Sequence, residues 1–303
     1  MIIGHNITKK IQGKTVLEEV SFRIDPGKVT ALIGLNGSGK TTLLKIISGI
    51  LNMDEGYMRI NGMDPAYVRK SSKEVIGFMG SKSFNLSGNG TVKEAIEMCR
   101  KMYHVPDTYY EYYREYAGNS LGIEKLWTKE CKTLSLGEKS RVEFFYTILM
   151  RPTLWLMDEP TIGVDYDTRM KMYEILEHIK SRDREMMVII ATHNIQEMEL
   201  LCEKVLVLNE GKIIFSGPLE YLRRKYQALG IIRFEISQGD VDFQDMPINW
   251  YEREGNQVKM MYYRHYVSAT TILKQIMTTA NIQKVSVADI DMESMIKNIF
   301  QEK

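Results

Sequence analysis

Gly34-Leu35-Asn36-Gly37-Ser38-Gly39-Lys40-Thr41-Thr42 is the stretch that decides the reading of this 303-residue chain. An apolar run, Val29 to Ile33, precedes it and reads as a buried strand. Leu43, Leu44, Ile46 and Ile47 follow at helical spacing. Strand, glycine-rich loop and helix, in that order, form the setting of a phosphate-binding P-loop. The glycines let the backbone curl with its N–H groups inward, and the helix N-terminus adds positive dipole. In such a loop Lys40 reaches the β- and γ-phosphates and Thr41 offers its hydroxyl to Mg²⁺. A glycine-rich turn before an ordinary helix is the bland alternative, and the full pattern in its context disfavours it.

Composition narrows what surrounds this loop. Hydrophobic residues make up 44% of the chain, enough for a packed core, and the length suits one large or two ordinary domains. Lys and Arg number 40 against 39 Asp and Glu, a net charge of +1. That balance excludes nucleic-acid binding through bulk charge, so no nucleic-acid partner is expected. Cys99, Cys131 and Cys202 are scattered, with no metal or disulfide spacing, which points to a reducing cytosol. No signal-peptide pattern opens the sequence, and no apolar run is long enough to cross a bilayer. Any membrane role is therefore expected to be peripheral and through a partner.

Along the chain, residues 3–24 read as two strands around Gln12-Gly13-Lys14. Tyr57 to Ile60 and Val75 to Met79 read as further strands. Residues 84–150 look mostly helical, and Thr91-Val92-Lys93-Glu94 suits a helix cap. Tyr109, Tyr112, Tyr113 and Tyr116 fall on one helical face, either packed on a neighbouring helix or free to dock a partner. Thr153 to Met157 and Met186 to Ala191 are compact apolar strands with a helix between them from about Asp167 to Ile179. Asn194 suits the cap of the next helix. Strands alternating with helices predict an α/β fold with a largely parallel sheet and ligands at the strand carboxyl ends. Composition shifts near Gly217-Pro218, where a basic helix with Arg223, Arg224 and Lys225 begins. From Gly230 onward a second, small α+β pattern starts.

Hydrolysis of a nucleotide needs a second carboxylate for Mg²⁺, a base for the attacking water and a group that senses the γ-phosphate. Asp158, at the end of an apolar strand, fits the first role. Glu159 beside it is placed to polarise water, and His193, at the tip of another strand, to meet the γ-phosphate. Here the residues resemble a known family. Leu134-Ser135-Leu136-Gly137-Glu138 resembles the LSGGQ signature of ATP-binding-cassette (ABC) ATPases. Thr161-Ile162-Gly163-Val164-Asp165 resembles their D-loop, and Ala191-Thr192-His193 their switch histidine. P-loop, signature, Walker B, D-loop and switch occur in the family's order over residues 1–218. Residues 230–303 are similar to the C-terminal extension of ABC-2-type exporter ATPases, through the tail from Asp289-Ile290-Asp291-Met292-Glu293 to Ile299-Phe300.

The resemblance implies a P-loop ABC ATPase domain over 1–218, with a parallel-core sheet, an N-terminal antiparallel β subdomain and a helical subdomain at about 84–150. A linker helix over 219–229 and an accessory α+β domain over 230–303 would follow. It implies ATP bound by Gly34, Asn36, Gly37, Ser38, Gly39, Lys40, Thr41 and Thr42, with Ser135 and Gly137 meeting the γ-phosphate on another copy's P-loop. Glu159, His193 and Lys40 would be catalytic, and Thr41, Asp158 and Ser81 would hold Mg²⁺. A head-to-tail dimer with integral membrane permease subunits, at the cytoplasmic face of the membrane, follows from the same likeness. Two other classes remain in view: a regulatory nucleotide-binding subunit with feeble hydrolysis, and a soluble ABC protein acting on ribosomes or DNA. The latter usually shows tandem cassettes or a long coiled-coil insertion, and neither is visible.

Three positions depart from the family pattern. Ser81 stands where the Q-loop glutamine is expected, and no glutamine occurs between Gln12 and Gln196. A serine is shorter and lacks the amide, so slow hydrolysis or altered coupling to the partner is expected. Leu136 and Glu138 replace a glycine and a glutamine of the signature. The bulk and charge either point away from nucleotide or slow turnover. Ile11 occupies the place of an aromatic that stacks on adenine, and such stacking is worth ~1–3 kcal/mol in nucleic-acid systems. Competition between ATP and GTP is therefore expected to show weak base selectivity. A strong ATP preference would contradict this reading of Ile11.

Overall fold

The computed structural model describes residues 1–68, 75–80, 90–243 and 246–301. Ser81, the expected third Mg²⁺ ligand, lies outside them. Contacts divide the chain into two units, Met1–Gly217 and Pro218–Lys303.

The first unit opens with β1 (Ile2–Ile11) and β2 (Lys14–Ile24), an antiparallel pair. Gln12 and Gly13 join them at φ of 50° and 80°, the left-handed pair that a tight hairpin with the strands' own twist requires. Next comes β3 (Val29–Ile33), buried at every position, which leads through the P-loop into α1 (Lys40–Ile47). Then β4 (Glu55–Ile60) pairs on the far side of β1, giving the order β2-β1-β4.

A second sheet is built from β5 (Ile76–Gly80), β6 (Leu154–Asp158), β7 (Met187–Ala191), β8 (Lys204–Asn209) and β9 (Lys212–Pro218), with β3 in its centre. The order is β5-β6-β7-β3-β8-β9, and the pairs from β5 to β8 are parallel. Such strands are buried on both faces, which is why Leu154 to Met157 and Met187 to Ala191 read as unbroken apolar runs. Leu43, Leu44, Ile46 and Ile47 of α1 fill the space between the two sheets. They share one core with Ile7, Leu17 and Ile24 of the first and Leu32, Leu156 and Ile189 of the second.

The helices of this unit are α2 (Pro65–Val68), α3 (Val92–Met102), α4 (Asp107–Tyr113), α5 (Leu136–Leu149), α6 (Tyr166–Arg182) and α7 (Ile195–Leu201). Thr91 caps α3 in a reciprocal box with Glu94. Past α4, residues Arg114–Gly118 form a turn of π-helix. Of the tyrosines placed on one face, Tyr109 donates to the Ile148 carbonyl at 3.1 Å, and the Tyr112 hydroxyl lies 2.8 Å from His178 Nε2. Tyr116 meets the same imidazole at 4.5 Å between ring centres. These contacts favour packing within the unit over a free docking stripe. Tyr110, off the expected face, is 5% exposed and lies under the Arg100 guanidinium.

The second unit begins with α8 (Leu219–Tyr226) and continues β10 (Leu229–Gly239), β11 (Trp250–Glu254), β12 (Gln257–Tyr263), α9 (Ala269–Ile276), β13 (Ala280–Asp289) and α10 (Met292–Gln301). Its sheet is antiparallel in the order β11-β12-β10-β13. Alternate residues Ile232, Phe234 and Ile236 meet Val258, Met260 and Tyr262, and Ile272 and Ile276 of α9 join them in one core. The helix expected to link two domains over 219–229 is shorter and belongs to this unit. Leu222 and Tyr226 are buried, and α8 lies against α10. No described helix is long and apolar enough to cross a membrane.

Asp291 anchors the end of this second unit. Its Oδ1 accepts the Ser294 amide at 2.8 Å, capping α10, and its Oδ2 takes Arg233 with Lys259 nearby. Burial raises its pKa, but the Ser294 bonds and the two cations outweigh that and hold the carboxyl below its ordinary value. A depressed folded pKa contributes stability above the unfolded value and loses it as pH falls through the folded one. Asp291→Ala is expected to cost about 1 kcal/mol, the usual worth of a helix cap, in denaturant titration at pH 7. The gap from the unsubstituted chain should close on acidification.

Candidate nucleotide-binding and hydrolysis site

The parallel register sets this site. Gly80 stands opposite Asp158, Asp158 opposite Ala191, and Ala191 opposite Leu32. Strands β5, β6 and β7 thus end level, one residue before β3 does, and the residues after Asp158 and Ala191 line one edge. The ladder runs one step further: the Glu159 amide donates to the Ala191 carbonyl at 2.8 Å and the Thr192 amide to that of Leu32 at 3.3 Å.

The P-loop curls in front of this edge. Gly39 has a φ of 108°, and a Cβ there would lie 2.7 Å from Leu17 Cδ2 and 3.0 Å from the Val16 carbonyl. Only glycine satisfies both conditions. Gly34 is buried, while Asn36 and Gly37 are exposed at the loop crest. Lys40 is 8% exposed and donates to the carbonyls of Gly34 at 2.8 Å and Leu35 at 3.2 Å. Burial lowers its pKa, and the nearby charges of Glu159 and Asp158 oppose that shift. Thr41 donates its hydroxyl to Asp158 Oδ2 at 2.7 Å. Thr42 is half-buried in the first turn of α1. Ser38 is buried, and its hydroxyl has no hydrogen-bond partner among the described residues.

Glu159 begins the turn after β6 with a φ of 54°, a strained region for a non-glycine residue that concentrates at functional sites. Its Oε1 lies 2.8 Å from His193 Nδ1. An ionised carboxylate only accepts, so that nitrogen carries the proton and Nε2 stays free to meet another group. Sequence reasoning placed these residues on separate strand tips. The fold brings Lys40, Thr41, Asp158, Glu159 and His193 together.

Ser135 and Gly137 lie elsewhere. Ser135 caps α5 in a box with Glu138: its Oγ accepts the Glu138 amide at 3.3 Å, and Glu138 Oε2 accepts the Ser135 amide at 3.0 Å. Glu138 Oε1 also takes the Lys129 ammonium at 2.7 Å. The Lys129 bond and then the Ser135 amide hold the Glu138 carboxyl down at about 2. Glu138, which departs from the family signature, therefore serves the helix start. The spacing Ser135-Leu136-Gly137-Glu138 was a readable sign of this cap. Gly137 packs on the D-loop turn, where a Cβ would sit 2.3 Å from the Gly163 carbonyl oxygen. Ser140 donates to the Ile162 carbonyl at 3.3 Å in the same contact. Leu136 is 47% exposed, and Ile11 is 41% exposed at the end of β1.

The donor set suits Mg²⁺. Two oxygens, Thr41 Oγ1 and Asp158 Oδ2, converge beside the P-loop, and no cluster of three acidic, His or Cys groups occurs among the described residues. Mg²⁺ is commonly held by one or two protein oxygens plus water and phosphate, not by an all-protein cage. The unpartnered Ser38 hydroxyl fits an absent oxygen ligand as well.

This arrangement defines a P-loop nucleotide hydrolase. A family model described as ABC transporter matches residues 17–162. An uncharacterized ABC transporter ATP-binding protein, MJ1023 of Methanocaldococcus jannaschii, is 30% identical over 227 residues, covering 73% of this chain and 78% of its own. The linearmycin resistance ATP-binding protein LnrL of Bacillus subtilis is 28% identical over 78% of this chain and 75% of its own. Among solved structures, the dimeric bacterial ABC transporter cassette MJ0796 superimposes with a TM-score of 0.62 at 25% identity. It spans 72% of this chain and 99% of that one. The same cassette is known in a post-hydrolysis state with ADP and Pi. The chain belongs to the ABC transporter ATP-binding protein family, and it is an ATPase.

The Glu138 cap yields a test. Its folded pKa is depressed, so its contribution is complete above the ordinary carboxylate range and is lost as pH falls toward 2. Glu138→Ala is expected to destabilise the first unit by about 0.5–2 kcal/mol near neutral pH. Thermal unfolding of both proteins at pH 7 and at pH 3 should show the difference shrinking in acid.

Proposed function

We propose that this chain is the motor subunit of an exporter, two copies of which face head to tail beneath separate membrane permease subunits. The observation that carries the reading is the half-built site. P-loop, Asp158, Glu159 and His193 converge on one sheet edge, while Ser135 and Gly137 make their contacts with Glu138 and Gly163. The dimeric MJ0796 cassette supports a second copy as the source of the missing half. Export rather than uptake is favoured by the C-terminal resemblance to ABC-2-type exporters. The absence of a membrane-spanning helix among the described residues accords with a peripheral place at the cytoplasmic face.

In this reading, the P-loop amides and Lys40 hold the phosphates. Thr41 and Asp158, with Ser81 as a further candidate, would hold Mg²⁺, which would supply charge neutralisation for the bound phosphates. Glu159 orients the attacking water and accepts its proton. His193 fixes the Glu159 carboxylate through Nδ1 and offers Nε2 to the γ-phosphate. Ser135 and the Gly137 amide of the second copy complete the enclosure. Because the γ-phosphate touches both copies, ATP binds the closed dimer better than the open one, and hydrolysis removes that preference.

Glu159→Gln keeps the shape and removes the base. It is expected to bind Mg-ATP normally, to lose turnover by about 10²–10⁴-fold, and to accumulate as a closed dimer in size-exclusion chromatography. Near-normal hydrolysis would remove Glu159 from the base role. A strictly monomeric Glu159→Gln protein in saturating Mg-ATP, with membrane partner supplied, would overturn the dimer.

A further inference from the structure

One buried carboxylate has no part in the chemistry above. Glu197 lies in the first turn of α7, four residues after His193, and is 1% exposed. Its Oε1 accepts the Thr161 hydroxyl at 3.2 Å and the Tyr173 hydroxyl at 3.1 Å. Thr192 Oγ1, in the loop just ahead of α7, accepts the Asn194 amide at 3.0 Å. Asn194 in turn caps α7 by accepting the amides of Gln196 and Glu197.

These residues come from the segments that carry the hydrolysis groups. Thr161 stands two residues after Glu159, on the turn that holds it at positive φ. Thr192 immediately precedes His193. Tyr173 belongs to α6, which gives the pair a fixed base. Glu197 Oε2 is buried without a hydrogen-bond partner among the described residues. Beside it is a small space of about 10 Å³, lined in part by Met157, Pro160, Thr161, Tyr173 and Leu201. Burial pushes the Glu197 carboxyl above its ordinary value; the hydroxyl bonds offset part of that, and the charge of Glu159 adds to it. A buried acid is costly where an apolar side chain would fill the volume, so ordinary packing does not account for it.

We infer that Glu197 is a positioning residue for hydrolysis. By tying Thr161 to a carboxylate anchored on Tyr173, on a helix whose cap Asn194 also holds Thr192, it sets from behind the 2.8 Å contact between Glu159 and His193. The turn after β6 and the loop after β7 then move as one piece, and the general base keeps its aim when nucleotide arrives. This inference rests on the roles proposed for Glu159 and His193. It adds a residue that touches neither substrate nor metal.

The test uses the full chain with Mg-ATP and reads kcat, KM, ATP affinity and thermal midpoint together. Glu197→Ala is expected to lower kcat by roughly tenfold to hundredfold, the cost of a small misplacement of a reacting group, and to leave KM and ATP affinity nearly unchanged. Glu197→Gln keeps the volume and an acceptor for Thr161 and Tyr173, so it should recover most of kcat. Thr161→Val and Thr192→Val remove one hydroxyl each and should lower kcat in the same direction. They also serve if Glu197→Ala fails to fold. Unchanged kcat in Glu197→Ala, or in both threonine variants, overturns the inference, as does a loss expressed in KM alone. Glu159→Gln in the same assay separates the two readings. If it is inactive while the Glu197 and threonine variants turn over normally, only the positioning role falls. If it hydrolyses normally, the base assignment fails and the positioning role falls with it.

Discussion

The shared register of four parallel strands is the constraint on which the rest depends. Gly80, Asp158, Ala191 and Leu32 stand in register. Glu159 and Thr192, which follow Asp158 and Ala191, must therefore face the same space. Side-chain period in a strand is two residues, so a slip of one in β6 or β7 would turn Asp158 or Thr192 to the opposite face of the sheet. The apolar runs of these strands, buried on both sides, fix that register through packing, far from the nucleotide chemistry. Stability of the core and geometry of the site are thus one property of the sheet.

Around that edge, two kinds of interaction share the task of holding polar groups in place. Short, local bonds do part of it: Lys40 to the P-loop carbonyls and the caps at Ser135 and Asn194, while Thr41 reaches Asp158 far along the chain. Longer links do the rest. The N-terminus of α5 lies against the D-loop through Gly137 and Ser140, so the signature and the D-loop of one copy share a rigid contact. Any movement of the helical segment must then be felt at the turn that follows Glu159. The strained φ of Glu159 is maintained within this frame, by the amide bond to Ala191 and by the imidazole of His193.

The second unit is organised on its own terms. Its antiparallel sheet buries Ile232, Phe234, Ile236, Val258, Met260 and Tyr262 against α9, and Asp291 fastens α10 by charge and cap together. Its helix α8 is amphipathic, and its buried residues explain why a segment that looked like a basic linker is part of a folded body.

The sequence by itself determined the P-loop, the apolar strands, the hairpin at Gln12-Gly13, and the caps at Thr91 and Asn194. These are local matters: hydrophobic period, turn residues and capping oxygens act within a few positions of one another. It also named Asp158, Glu159 and His193 by their places at strand ends. It gave less at Tyr110, because the π-turn and the walls of the helical segment are set by packing across the chain. Glu138 was seen as a stray charge although its spacing to Ser135 spells a capping box; Lys129, nine residues earlier, completes its environment only through the fold. Glu197 gave no signal in sequence, since its meaning lies in Thr161 and Tyr173, which reach it only when the sheet and two helices are packed. What tertiary structure alone decided is therefore every contact whose partners are distant in the chain, because burial and register, which make a carboxylate meet two hydroxyls, are properties of the assembled sheet and not of any one segment.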